Sequence, residues 1–131
     1  MSESFKNLKV WKESVLFTTL IYTLTKKYPK EEIFGLVSQL RRAAVSIPAN
    51  ISEGSSRQSK KDYGRFIEIA IGSLNEIETI LEISLALGYI TRDIYQAAQK
   101  DIITLGNLLG GFRNYLKKSS LPTFYSQLSD I

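Results

Sequence analysis

Apolar residues recur along this 131-residue chain at the three- and four-residue steps of amphipathic helices, with no run of strand-like alternation. The spacing predicts four helices. The first is expected from about Leu8 to Tyr28, with Leu8, Trp11, Val15, Thr18, Leu20, Tyr22 and Leu24 as candidates for its inward stripe. Tyr28-Pro29 ends it, because the residue before a proline is pushed out of helical backbone geometry. The second starts near Glu31, where two glutamates suit the positive end of a helix dipole. It carries Ile33, Leu36, Val37, Leu40, Ala44, Ile47 and Ile51 on one face before Gly54-Ser55-Ser56 closes it. The third follows Ser59 with Tyr63, Phe66, Ile67, Ala70, Ile71, Leu74, Ile77, Leu81 and Leu85, and ends at Gly88 as a left-handed cap. Thr91 is the expected N-cap of the fourth, which carries Ile94, Tyr95, Ala98, Ile102, Leu105, Leu108, Leu109, Phe112 and Leu116 before Ser119-Ser120 and Pro122.

Long helices joined by short connections must fold back on one another. The expected class is therefore all-α: an antiparallel up-down-up-down four-helix bundle over residues 1–118, with a C-terminal tail at 119–131. An extended pair of hairpins that completes its core by self-association is the alternative.

Pro48 interrupts the logic of the second helix, since it lies inside the periodic run from Gln39 to Gly54. An interior proline removes one backbone hydrogen bond and crowds the carbonyl four residues back, at a cost of about 3 kcal/mol or more. A kinked second helix follows, with some group offsetting the loss at Ala44. Ser46, Asn50, Ser52 and Glu53 surround the proline and read first as partners for loosened backbone rather than as a binding site. Glu53 and Arg57 are placed for a helix-surface ion pair. Arg41 and Arg42 are adjacent and point about 100° apart, so only one is expected to face a partner while the other is solvated or lies along the bundle. Gly72-Ser73 reads as a point where a neighbouring helix approaches closely, and Gly106, Gly110 and Gly111 read either as tight helix contact, within the bundle or between subunits, or equally as a weakened or bent helix end.

Composition then removes chemistry. The chain has no cysteine and no histidine, which excludes disulfides, thiolate nucleophiles, sulfur-ligated metal sites and the commonest general base. Glu76, Glu78 and Glu82 lack the histidines of a di-metal bundle and read as a solvated stripe. No catalytic, cofactor or metal residues are assigned, and an enzyme is not expected. With no apolar leader and no apolar stretch of the roughly 20 residues needed to span a bilayer, a cytoplasmic protein is expected.

Charge adds more. Lys and Arg number 17 against 13 Asp and Glu. In the bundle topology the start of the first helix, the second corner and the end of the fourth helix fall together. That end collects Lys6, Lys9, Lys12, Arg57, Lys60, Lys61, Arg65, Arg113, Lys117 and Lys118, against Glu3, Glu13, Glu53, Asp62, Glu68 and Asp130. The whole excess charge sits there, a surface suited to the phosphates of RNA or DNA. A solvated polar end cap on a protein-interaction scaffold is the competing reading.

Three blocks in fixed order also resemble a known family: Phe5 to Trp11; Leu40 to Gly54, containing Arg41, Arg42, Ser46, Pro48, Asn50, Glu53 and Gly54; and Ala70 to Glu76, containing Gly72. Together they are similar to the bacterial four-helix bundle proteins encoded by intervening sequences within 23S rRNA genes, relatives of the accessory variability protein of diversity-generating retroelements. The resemblance spans residues 5–118. It implies a homo-oligomeric ring, typically a homopentamer, without catalytic activity. For the retroelement branch it further implies binding to nucleic acid and to a reverse transcriptase.

Overall fold

The computed structural model describes residues 4–118; the expected tail at 119–131 lies outside the described residues. A short 3₁₀ turn at Ser4–Asn7 leads into α1 (Lys9–Thr25), a second at Lys30–Glu32 precedes α2 (Leu36–Ser55), and α3 (Lys60–Ala86) and α4 (Arg92–Lys117) complete an all-α chain with no strand among the described residues. Helices adjacent in sequence pack on one another, and α1 also meets α4, which closes a four-helix bundle around a single core.

The centre of that core is the α2–α3 seam. Leu40, Ile47 and Ile51 of α2 and Ile67, Ile77 and Leu81 of α3 are completely enclosed, with Ala44 and Ala70 between them. Their three- and four-residue spacing keeps one face of each helix against its partner over several turns. The local signals at the helix ends behave as their chemistry requires. Ser59 caps α3 by accepting from the Asp62 amide at 3.1 Å, and Thr91 caps α4 by accepting from the Ile94 amide at 3.2 Å. Gly88, at φ 79°, is the left-handed residue that turns α3 into the next corner. Its amide donates to the Leu85 carbonyl and the Tyr89 amide to the Ser84 carbonyl, the paired bonds of a Schellman end.

Several expectations are corrected. The inward face of α1 is Val10, Ser14, Phe17, Ile21 and Thr25, followed by Tyr28, while Leu20 and Tyr22 are 47% and 39% exposed. The expected stripe is rotated from the observed face: Leu8, Trp11 and Leu24 pack only at the core's edge, apolar residues on both sides of α1 leave its phase ambiguous, and Ser14 and Thr25 are buried with each hydroxyl donating to a carbonyl of its own helix, Trp11 at 2.8 Å and Ile21 at 2.8 Å. The second long helix begins at Leu36 rather than near Glu31, and Ile33 is exposed. Glu32 nevertheless serves its N-terminus from outside: one carboxylate oxygen accepts from the Leu36 amide at 3.1 Å, and the other accepts from the Tyr89 hydroxyl at 2.9 Å, tying the α1–α2 connection to the α3–α4 corner.

α2 closes within Gly54-Ser55-Ser56 as expected, ending at Ser55 with Ser56 as its C-cap, but without a left-handed residue, Gly88 being the only glycine with positive φ among the described residues. The role of Gly54 is steric. A Cβ there would stand 2.6 Å from Tyr63 Cδ1 and 2.9 Å from Phe66 Cβ, so glycine lets α2 and α3 meet at their corner. Gly72, Gly110 and Gly111 do not mark close approach within the bundle, because nothing lies within 4 Å of a Cβ built on any of them. At Gly106 such a Cβ would meet Leu74 at an ordinary 3.6 Å.

Candidate functional site

The polar groups around Pro48 hydrogen-bond to backbone and to one another. α2 runs through Pro48 without a break, and the carbonyl that the proline leaves free, that of Ala44, lies 3.0 Å from the Thr18 hydroxyl of α1. Asn50 donates to the Ser46 carbonyl at 2.7 Å and lies 2.9 Å from the Ser46 hydroxyl, which in turn receives Ser73 of α3 at 2.9 Å. Ser52 turns back to the Ala49 carbonyl, and Glu53 pairs with Arg57 at 2.8 Å. These groups satisfy one another and join three helices. Arg41 is likewise engaged: its Nε donates to Thr25 Oγ1 at 2.9 Å, and the guanidinium lies 4.6 Å over the Tyr22 ring at the end of α1. Arg42 is exposed and, with Gln39, Ala43, Ser46, Ser73 and Glu76, borders an open recess of about 420 Å³.

The basic end has a different character. Because α3 and α4 are antiparallel, the first turns of α3 meet the last turns of α4, and the register places Lys60, Lys61 and Arg65 opposite Arg113 and Lys117. Together with Gly64, Leu116 and Glu68 they line a cavity of about 410 Å³. Five cations thus face one carboxylate. Helical spacing explains the grouping, since Lys61 and Arg65, and likewise Arg113 and Lys117, lie one turn apart on their helices. Lys60 and Lys61 also stand in the first turn of α3, where the helix dipole disfavours cations, so helix stability alone does not account for them.

Three aromatic residues stand beside the cavity without lining it. Lys60 Nζ lies 4.7 Å from the centroid of the Tyr115 ring, which is 57% exposed. Tyr115 is parallel to Phe112, with an interplanar angle of 9° and centroids 6.1 Å apart. Phe112 meets Tyr63 edge-on at 5.2 Å, and Tyr63 fills the space left by Gly54. The Arg113 Nε–H is enclosed and has no acceptor among the described residues. Burial raises the Tyr63 hydroxyl above the usual tyrosine range, and that hydroxyl too has no partner.

Half of the basic residues expected from sequence therefore converge. Arg57 is held by Glu53, lies 4.7 Å over the Phe66 ring, and borders a neighbouring recess with Asp62 and Arg65. Lys6, Lys9, Lys12 and Lys118 are exposed and do not line the cavity. Tyr115 was not singled out from sequence, although the run Phe112-Arg113-Asn114-Tyr115-Leu116-Lys117-Lys118 interleaves aromatic and basic residues and is the signal that points to it.

The profile of the 23S rRNA-intervening sequence protein family matches residues 6–111. The chain belongs to that family. A crystal structure at 1.70 Å of a protein of unknown function from the S23 ribosomal protein family of Bacteroides thetaiotaomicron is similar to it, with 30% identity and a TM-score of 0.75 over 87% of this chain and 99% of that one. Comparison with curated proteins gives no match. The family match ends at residue 111, so Arg113, Tyr115 and Lys117 lie beyond it. Among the described residues no helix is long and apolar enough to cross a membrane, and no group of three or more acidic side chains is placed to hold a metal ion.

Proposed function

We propose that this family member is a non-enzymatic, cytoplasmic helical bundle that binds RNA or DNA phosphates at the basic α3–α4 cavity and self-associates into a ring. The observation that carries the reading is the grouping of Lys60, Lys61, Arg65, Arg113 and Lys117 around one cavity with only Glu68 to oppose them. Arginine guanidinium groups hold phosphate oxygens through paired N–H donors, and lysines add mobile point charges. The homopentamer implied by the family resemblance would repeat the cavity about a symmetry axis, so that weak single contacts gain from multivalency on a long polyanion. A reverse transcriptase is the protein partner in the retroelement branch of that resemblance.

A protein-interaction scaffold is the second reading. It is favoured by Phe34, 94% exposed beside Ile33 at 49%, in the connection at the other end of the bundle. Fluorescence anisotropy with labelled RNA and DNA, repeated across a salt series, separates the two. The phosphate reading requires binding that weakens as salt rises, and a marked loss when Lys60, Lys61, Lys117 and Lys118 are replaced by glutamate. Unchanged binding in that variant, or none at low salt, sinks it.

A further inference from the structure

Resting on the ring-forming part of that reading, we infer that the chain self-associates head-to-tail, with Phe34 of one copy seated in the groove between α1 and α4 of the next. Phe34 lies in the connection between α1 and α2 and is 94% exposed, so its own chain leaves the ring uncovered. Aromatic side chains that fill a recess on a partner carry much of the energy of an interface. The matching surface begins on α1. From Ser14 to Thr25 that helix has no charged residue, although the outward side of a bundle helix is where charges normally sit. Leu16 and Leu20 are exposed there. The Thr19 and Thr23 hydroxyls donate to the Leu16 and Thr19 carbonyls at 2.7 and 3.2 Å, so they too are spent within α1.

Between α1 and α4, the least closely packed pair of neighbouring helices, Leu16 and Leu20 border a recess with the buried Phe17 and Leu105. Its volume, about 60 Å³, is well below the roughly 300 Å³ at which small-ligand pockets begin, so it has room for a side chain rather than a free ligand. The charged residues in its lining, Glu13 and Asp101, are both acidic. The connection that brings Phe34 carries Lys26, Lys27 and Lys30 against Glu31 and Glu32, and the Glu32 carboxylate is already held by the Leu36 amide and the Tyr89 hydroxyl. An apolar knob with a basic flank is thus matched to an apolar hole with an acidic lining, a complementarity that fixes register and excludes other pairings. Knob and hole are different surfaces of one chain. The contact is therefore heterologous, and it repeats from copy to copy until the rotation closes a ring.

The test is sedimentation velocity of the full chain over a concentration series, with Phe34→Ser and Leu16→Glu beside it. The parent is expected as an oligomer of more than two chains, and each variant is expected to associate at least about tenfold more weakly. Both positions are exposed, so circular dichroism and a melting curve should show the parent fold in each. A second measurement reads the pairing itself. The chain has no cysteine, so Ile33→Cys beside the knob and Thr104→Cys in the groove lining supply the sole thiols of a double variant. Thr104 lies roughly 18 Å along α4 from the helix end nearest Ile33, and a bismaleimide shorter than that cannot join the two within one chain. The double variant is expected to give a ladder of linked chains, and either single variant none. A parent oligomer left unchanged by Phe34→Ser or by Leu16→Glu, or a double variant without linked chains, overturns this contact while leaving the ring in place. A parent that is monomeric or stops at two chains at every concentration removes the ring and this contact together, and returns Phe34 to a partner of another kind.

Discussion

The Thr18 hydroxyl of α1 lies 3.0 Å from the carbonyl of Ala44 in α2, the carbonyl that Pro48 deprives of its helical partner. The same hydroxyl lies 2.8 Å from the Ser14 carbonyl, so a single proton is shared between its own helix and the next. An interior proline is thereby answered by a neighbouring helix, and α1 gains a polar anchor on the most enclosed helix of the core. Thr18→Val keeps the shape and removes the donor, and should cost about 1–3 kcal/mol by leaving the Ala44 carbonyl unpaired. In a Pro48→Ala background residue 48 supplies its own amide, so the same substitution should cost less by about 1 kcal/mol. A double-mutant cycle by chemical denaturation checks this; additive losses would disprove the coupling.

Gly54 makes a second prediction that rests on distance alone. Gly54→Ala places a methyl group 2.6 Å from the Tyr63 ring, and the ring, part-buried and braced by Phe112, has little room to yield. Overpacking of this kind should cost about 1–3 kcal/mol despite alanine's better helix propensity. A variant as stable as the parent would refute the steric role of the glycine.

The two adjacent arginines are predicted to differ. Arg41→Ala breaks the bond to Thr25 and the stacking over Tyr22, and should destabilise by about 1–2 kcal/mol. Arg42→Ala, at an exposed position, should change stability by no more than about 0.5 kcal/mol. Thermal melts of both variants decide it, and equal effects would mean that the contacts of Arg41 contribute nothing.

What could be read from the sequence was local. Ser59, Thr91 and Gly88 fix helix ends through bonds made within a few residues, and the regular spacing along α2 and α3 identifies the core seam without reference to the rest of the fold. What could not be read depends on other elements. Burial of Ser14 and Thr25 requires hydroxyls that turn inward on their own helix, which a count of apolar residues overlooks. Gly54 carries the same letter whether it ends a helix or admits Tyr63, and only the approach of α3 separates the two. The basic end was visible as a list of charges, but the cavity depends on the register of α3 against α4, which places Lys60 beside Tyr115, 55 positions away in the chain.

The last prediction concerns alkaline pH. Burial raises the Tyr28 and Tyr63 hydroxyls, while hydrogen bonds to the carboxylates of Glu32 and Glu82 are the main cause that raises Tyr89 and Tyr95. Each is neutral when protonated, and each has a higher folded than unfolded pKa. Folding therefore favours the protonated form, and the stability this contributes is fully present below about pH 10 and is lost as pH rises through the raised folded values. With no histidine in the chain, no side-chain titration of that kind falls near neutrality, and stability should be nearly level from about pH 6 to 9. Tyr63→Phe isolates one contribution. At pH 7 it should be neutral or stabilising by up to about 1 kcal/mol, because it removes a buried hydroxyl that has no partner. Above pH 10 its stability should fall less steeply than the parent's, by at most about 1.4 kcal/mol per pH unit for a single group. Urea unfolding at pH 7, 9, 10 and 11 reads both, and parallel pH curves for variant and parent would rule out a raised Tyr63.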